Sequence, residues 1–274
     1  MKLPRGVSLA IAGMIRGYPL LLIGYLVGTR RWKVLKYTFV GLAVGGVMTL
    51  CLAGIAPTLG FVFSALKYLN SDEWVPFPSD MTLTAFIFRQ FWVFGPTPVF
   101  RFDLLRRILA LVAQATVLAL TVKGTLMRAA GRDDHWRALC LWIVTAVLLS
   151  PIGYLYDMVP LLLLLVQLVL AGNDRAVSRR ALWLAAASYL VPAVMGDVMA
   201  LLQQLRLFSK MTNVIGFDAS RRLWFMLQEY AFFSLFFAYL SAYFFTVDGP
   251  EAGVEIGVDK SKPHTPAGRL HTLD

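Results

Sequence analysis

Long apolar runs alternate with short basic connections along the 274 residues of this chain. Several runs approach or exceed the roughly 18–20 residues that a helix needs to cross a bilayer. Strands of a membrane barrel would instead alternate apolar and polar residues, and these runs do not. We therefore predict an all-α, polytopic transmembrane bundle of about seven spans, near 7–28, 37–56, 104–122, 136–150, 151–171, 181–203 and 222–246.

Composition supports a membrane protein, because 58% of the residues are hydrophobic and 15% are charged. A soluble domain averages about 45–50% apolar and about 25% charged residues. The formal charge of +10 comes largely from basic residues beside the apolar runs, where they set topology, so no nucleic acid partner is predicted. Cys51 and Cys140 each lie within an apolar run, and we predict neither a disulfide, nor a metal site, nor a cofactor.

Basic residues predict the orientation, since short cytoplasmic loops carry an excess of lysine and arginine. Three connections of the same parity hold eleven of them: Arg30, Arg31, Lys33, Lys36, Lys123, Arg128, Arg132, Arg137, Arg175, Arg179 and Arg180. We therefore place these connections in the cytoplasm and the protein in the inner or plasma membrane. An odd number of spans with a cytoplasmic C-terminal tail then places the N-terminus outside.

The predicted domain organisation is one transmembrane helical domain, residues 1–246, followed by a disordered cytoplasmic tail, 247–274. The external loop near 57–103 has apolar residues at helical spacing over 60–69 and 83–94. Such segments are typical of helices lying in the membrane interface.

Polar residues inside a membrane are costly and often functional. Ser150, Tyr154 and Asp157 share one face of a helix that Pro151 is suited to begin. Asp157 would lie about 10 Å along this helix, where it could line an external sugar or proton pocket. The alternative is that Asp157 forms an ion pair with a neighbouring helix, for example with Arg16.

Arg16, together with Tyr18 and a break at Pro19, is the second candidate site. Its guanidinium could hold a phosphate through charge-assisted bonds, or it could extend to the outer interface as an ordinary membrane arginine. Asp197 and Glu229 are also in predicted spans. Pairing with Arg206 or Arg222 would explain either carboxylate without a functional role.

Three blocks of this sequence resemble the C-terminal half of glycosyltransferase family 87, whose members are membrane enzymes of the GT-C class. The first runs from Ala12-Gly-Met-Ile-Arg-Gly-Tyr-Pro19 to Arg30-Arg-Trp32. The second is Ser79-Asp-Met-Thr-Leu-Thr-Ala85 with Arg89, in which Asp80 and Thr82 replace the asparagine and serine usual in the family. The third runs from Leu141-Trp142 through Ser150-Pro151 to Tyr156-Asp157.

The resemblance implies transfer of a sugar, often mannose, from a polyprenyl-phosphate donor to a lipid or glycan acceptor on the external face. Under it, Arg16 and Tyr18 would approach the donor phosphate, while Ser150, Tyr154 and Asp157 would line the sugar pocket. The GT-C class places its catalytic aspartate in an early external loop, which has no counterpart here. We therefore expect a late portion of such an enzyme and assign the catalytic base to no residue.

Two other functions remain open from the sequence. A transporter or flippase component could line a polar pathway with Arg16, Asp157 and Asp197, although no internal repeat is evident. A non-catalytic membrane partner could assemble with a separately encoded N-terminal half.

Overall fold

The computed structural model describes residues 5–15, 18–70, 81–93, 99–100, 102–128, 135–150, 178–207 and 229–248, with the single residues 164, 166, 210, 213 and 227. A short 3-10 helix occupies Tyr18–Leu21. The α-helices of the described residues are α1 Arg5–Ile15, α2 Leu22–Gly28, α3 Trp32–Ala53, α4 Ile55–Asn70, α5 Leu83–Gln90, α6 Asp103–Arg128, α7 His135–Leu148, α8 Arg179–Gln204 and α9 Tyr230–Val247.

Four of these helices are long and apolar enough to cross a membrane, namely α3, α6, α8 and α9. They confirm a polytopic helical bundle, and they match the predicted spans at 37–56, 104–122, 181–203 and 222–246. The 14 residues of α7 cover about 21 Å, which is short of the roughly 30 Å of the hydrocarbon layer. The fifth predicted span, 151–171, lies almost entirely outside the described residues, so its crossing and the total number of spans stay predictions.

The first predicted span, 7–28, is a helical hairpin rather than one crossing helix. Helix α1 runs parallel to α3, because Gly6 meets Val34 and Thr38 at one end while Ala10 meets Gly41 further along. A Cβ on Gly6 would lie only 2.3 Å from the Val34 carbonyl oxygen, so the small residue permits this close approach.

The return limb of this hairpin is formed by the 3-10 helix and α2. The 11 residues of α1 cover only about 16 Å, and the 3-10 helix that begins at Tyr18 already belongs to the return limb. Because Gly6 meets Val34 and Thr38, it lies at the same end of the bundle as the basic turn before α3. A single crossing over 7–28 would have put these two at opposite ends, and the side of the membrane on which the chain begins stays a prediction.

The core lies between α6, α7, α8 and α9. Helix α9 presents a face of small residues to α7 and α8, with Leu235 and Tyr239 filling the centre. Hydroxyl groups join these helices. The Tyr239 hydroxyl donates to the Val117 carbonyl at 3.1 Å, and the hydroxyl oxygens of Thr121 and Thr145 are hydrogen-bonded at 2.8 Å. Interhelical contacts of this kind stabilise membrane bundles, where burial of apolar surface supplies little driving force.

A second core cluster attaches the α1–α2 hairpin and α3 to α7. It contains Tyr25, Leu26, Leu35, Ala138 and Trp142. The Trp142 indole packs directly against Gly24, and its N–H donates to the Thr125 hydroxyl at 2.8 Å.

One end of the bundle is strongly basic, and we call it the basic end. Here the α2–α3 turn, the C-terminal parts of α6 and α9 and the N-terminal parts of α7 and α8 come together. The Arg137 guanidinium donates to the Phe245 carbonyl at 3.2 Å, and the Ser241 hydroxyl donates to the Ala181 carbonyl at 2.7 Å. The described basic residues at this end are Arg5, Arg30, Arg31, Lys33, Lys36, Lys123, Arg128, Arg137, Arg179 and Arg180. The cytoplasmic location of this end stays a prediction.

The predicted external loop is partly helical, as expected. Helix α4 contains the predicted 60–69 segment, beginning just after Gly54, whose φ of 83° breaks α3. The helix predicted over 83–94 is shorter, because α5 ends at Gln90. Trp92–Val93 instead pairs in an antiparallel ladder with Val99–Phe100, which aromatic and β-branched residues favour. The tail beyond residue 248 is outside the described part of the chain.

Candidate functional site

Helix α5 is the central element of the end opposite the basic end. The Thr82 hydroxyl caps it by accepting from the Ala85 backbone N–H at 3.3 Å, a bond that satisfies one of the unpaired donors of the first turn. Leu83, Ala85, Phe88 and Arg89 point into the protein, so the helix is amphipathic, with a charged residue on its buried face.

That charged residue, Arg89, forms a buried ion pair with Glu229. The guanidinium donates from Nε to Oε1 at 2.5 Å and from Nη2 to Oε2 at 2.6 Å. The two side chains are 1% and 4% exposed. This two-bond geometry is the strongest that arginine and a carboxylate can form, and it fixes direction as well as distance. It joins α5 to the start of α9, 140 residues away in the chain.

Aromatic packing strengthens the same junction. The Phe86 ring stacks on the Phe232 ring with centroids 3.9 Å apart and planes 7° from parallel, and Phe233 packs edge-on against both. Helix α5 therefore contacts α9 through one charged pair and one aromatic cluster.

The other side of α5 is attached to α6. Gln114 donates to the Thr84 hydroxyl at 2.6 Å, and the Arg106 guanidinium lies over the Phe88 ring, 4.4 Å from its centroid. Arg106 also bonds to the Asp103 carboxylate, which accepts from Arg107 as well. The helix is thus held between α6 and α9 on a rigid base.

The predicted site residues fall mostly outside the described residues. Arg16, Tyr154 and Asp157 lie there, and Tyr18 is placed only as the first residue of the 3-10 helix. Ser150 is described: it follows the end of α7, is 4% exposed and donates its backbone N–H to the Val147 carbonyl at 3.2 Å. Ser150 lies at the end opposite the basic end, since α7 begins at the basic end, where Arg137 contacts Phe245, and Ser150 follows its last turn.

Two carboxylates considered from the sequence have different surroundings from those expected. Glu229 pairs with Arg89, a partner that the sequence had not indicated, while Arg222 lies outside the described residues. No sequence pattern relates the two partners, although a buried arginine on an otherwise apolar helix face is itself a sign of a distant acidic partner. Asp197 is exposed on α8 and makes no ion pair among the described residues.

This arrangement positions groups and does not itself suggest a reacting centre. Both oxygens of Glu229 already bond to one guanidinium, and burial raises the pKa of this carboxyl while Arg89 opposes that shift. Within the described ranges, no group of three or more His, Cys, Asp or Glu side chains could hold a metal ion. The geometry offers a helix held between α6 and α9 at the end of the bundle where Ser150 also lies.

The fold and the distribution of charges define a polytopic α-helical membrane protein with an ordered helix packed across one end. The family model of glycosyltransferase family 87 matches residues 1–151, which is more than half of the chain. The chain belongs to this family and is a membrane glycosyltransferase in that general sense. The match contains the first two blocks noted in the sequence and the third as far as Pro151. No curated protein and no solved structure matches the chain.

Proposed function

We propose that the protein transfers a sugar, of the mannose type, from a polyprenyl-phosphate donor to a lipid or glycan acceptor on the external face of the inner or plasma membrane. Membership of glycosyltransferase family 87 is the single observation that carries this proposal. The four long apolar helices support a donor that reaches the protein within the bilayer. A lipid-linked sugar needs no nucleotide, in keeping with the absence of a phosphate-binding loop in the sequence.

The proposed reaction takes place at the α5 end, opposite the basic end. Positive-inside topology places the basic end in the cytoplasm and the α5 end outside. Helix α5 is held by Glu229 at the start of α9 and by Gln114 on α6, at the same end of the bundle as Ser150. In this proposal Ser150, Tyr154 and Asp157 line the sugar pocket, and Arg16 and Tyr18 contact the donor phosphate.

A transfer assay tests the function directly. The purified chain in phospholipid vesicles is given polyprenyl-phosphate mannose labelled in the sugar, with total membrane lipid from the source cells as acceptor. We expect label in a new lipid or glycan product, and no product from nucleotide-linked mannose. Movement of labelled donor between leaflets without a product would instead identify a transporter or flippase component.

Substitution of Asp157 tests the predicted site separately. We expect Asp157→Asn to lower the turnover rate at least about a hundredfold, in line with removal of a group that positions or stabilises the reacting atoms. Asp197→Asn is the matched control, because Asp197 is an exposed carboxylate of another helix. Full turnover by Asp157→Asn would remove this residue from the site while leaving the assignment of the function intact.

A further inference from the structure

A cleft outside the candidate site opens on the first two turns of α8, at the basic end. Arg179, Leu182, Trp183 and Ala186 line it, and its volume is about 470 Å³. These positions follow a spacing of three, one and three residues, which places them on one face of the helix. The described part of its lining therefore lies on one face of α8.

Charge and hydrophobicity change along this cleft in a definite order. Arg179 is exposed at the first residue of α8, and Trp183, 75% exposed, lies one turn further along. Ala186 lies about 10 Å beyond Arg179, at the rise of a regular helix. The cleft thus has a cationic opening at the membrane surface and an aromatic and aliphatic wall that faces the hydrocarbon layer.

Arg179 is available to a ligand. The ion pairs of the described residues engage Arg89, Arg106 and Arg107 at the other end of the bundle, and Arg179 takes part in none of them. It shares the basic end with the other cations named above, which together produce a positive potential there. An arginine offers planar bidentate bonding to a phosphate, and tryptophan favours the level of the lipid headgroups.

We propose that the Arg179–Trp183 cleft binds the headgroup phosphate of an anionic phospholipid, with an acyl chain lying along Trp183 and Ala186. A soluble anion would use the guanidinium and leave the apolar wall uncovered. A zwitterionic lipid would cover the wall and bring an unfavourable ammonium group to a strongly basic surface. An anionic lipid matches both parts of the cleft, independently of any sugar transfer.

Quenching by brominated lipids tests this site. The purified chain is placed in vesicles of phosphatidylcholine in which a fixed fraction of one lipid, either phosphatidylglycerol or phosphatidylcholine, carries bromine on its acyl chains. The signal of Trp183 is the difference between the native protein and Trp183→Phe, which removes the contribution of the other tryptophans. We expect brominated phosphatidylglycerol to quench Trp183 more strongly than brominated phosphatidylcholine at the same fraction.

Three variants show whether Arg179 causes this preference. Arg179→Gln should lower the ratio of quenching by the two brominated lipids by more than about fivefold, because it removes hydrogen bonds to the phosphate as well as the roughly fivefold attraction of one basic residue near a membrane surface. Arg179→Lys keeps the charge without the bidentate bonding and should lower the ratio by less than Arg179→Gln does. Arg180→Gln is the matched control, since it removes the same charge at a neighbouring side chain that is not among those lining the cleft, and it should lower the ratio by no more than about fivefold.

Two results would overturn the proposal. Equal quenching of the native protein by the two lipids would show that no anionic lipid is selected, whatever the variants do. An equal loss of preference in Arg179→Gln and Arg180→Gln would show general attraction to the basic end rather than a site.

Discussion

Replacing Glu229 by alanine should destabilise the protein severely, because it leaves a buried arginine without its carboxylate. Both side chains of the Arg89–Glu229 pair are nearly inaccessible, at 1% and 4% exposure, so water cannot replace the lost bonds. Removing one partner of such a pair costs about 3–5 kcal/mol. Since single domains are stable by only about 5–15 kcal/mol, this is a large part of the total.

Replacing both residues at once should be much milder. The variant Arg89→Met with Glu229→Leu removes both charges and keeps similar volumes, and such exchanges are often neutral or stabilising. The coupling energy from the double-mutant cycle should therefore amount to several kcal/mol. Much of this coupling energy reflects the cost of one buried charge that has lost its partner in each single variant, rather than a net stabilisation of the native protein by the pair.

Unfolding in mixed micelles with increasing SDS, followed by tryptophan fluorescence, measures these differences. Arg107→Ala is the control, because Arg107 is 48% exposed in its bond to Asp103, and exposed pairs contribute only about 0–1 kcal/mol. The reasoning is refuted if the free energy of unfolding of Glu229→Ala lies within about 1 kcal/mol of that of the native protein. It is also refuted if the double variant loses as much free energy of unfolding as the two single variants lose together.

Two further predictions concern packing near the basic end, and both use the same unfolding assay. Gly6→Ala should destabilise by about 1–3 kcal/mol, since its Cβ would lie 2.3 Å from the Val34 carbonyl oxygen and α1 would have to move. Gly46→Ala is its control and should be neutral or stabilising by up to about 1 kcal/mol, because nothing lies within 4 Å of the added Cβ. Equal effects of Gly6→Ala and Gly46→Ala would contradict the close packing of α1 on α3. Thr125→Val should cost about 1–3 kcal/mol by leaving the buried Trp142 N–H without its acceptor at 2.8 Å. An indole N–H resonance of Trp142 that does not shift in this variant would show that the bond is not formed.

The long helices could be predicted because continuous apolar sequence has few alternatives inside a membrane. The spans near 104–122 and 181–203 correspond to α6 at Asp103–Arg128 and α8 at Arg179–Gln204. Their ends differ by only a few residues, except that basic and polar residues extend α6 beyond the apolar run. Hydrophobic length therefore predicted the existence of these elements better than their limits.

The hairpin of α1 and α2 could not be predicted in the same way. Residues 7–28 are as apolar as a crossing helix, and hydropathy does not distinguish one helix from the two short limbs that the structure shows, α1 and the 3-10 helix with α2. The hairpin is determined by close contacts between residues far apart in the sequence, such as Gly6 with Val34 and Gly24 with Trp142. This reversal also explains why the start of α1 and the basic turn before α3 lie at the same end.

The contact between α5 and the start of α9 could not be predicted for a related reason. Arg89 and Glu229 are 140 residues apart, and no periodicity connects them. The amphipathic pattern of α5 predicted a helix in the membrane interface, and the structure shows that its buried face packs against protein. A charge on that apolar face was the one available sign of a partner.

Sidedness of sugar transfer tests the central claim most directly. A polyprenyl-phosphate mannose with a shortened prenyl chain, too slow to cross the bilayer during the assay, is added to one face of sealed vesicles that contain the protein in a single known orientation. The account predicts a labelled product when this donor reaches the α5 end and none when it reaches only the basic end. Product formed only from the basic end, or from neither side, would contradict it.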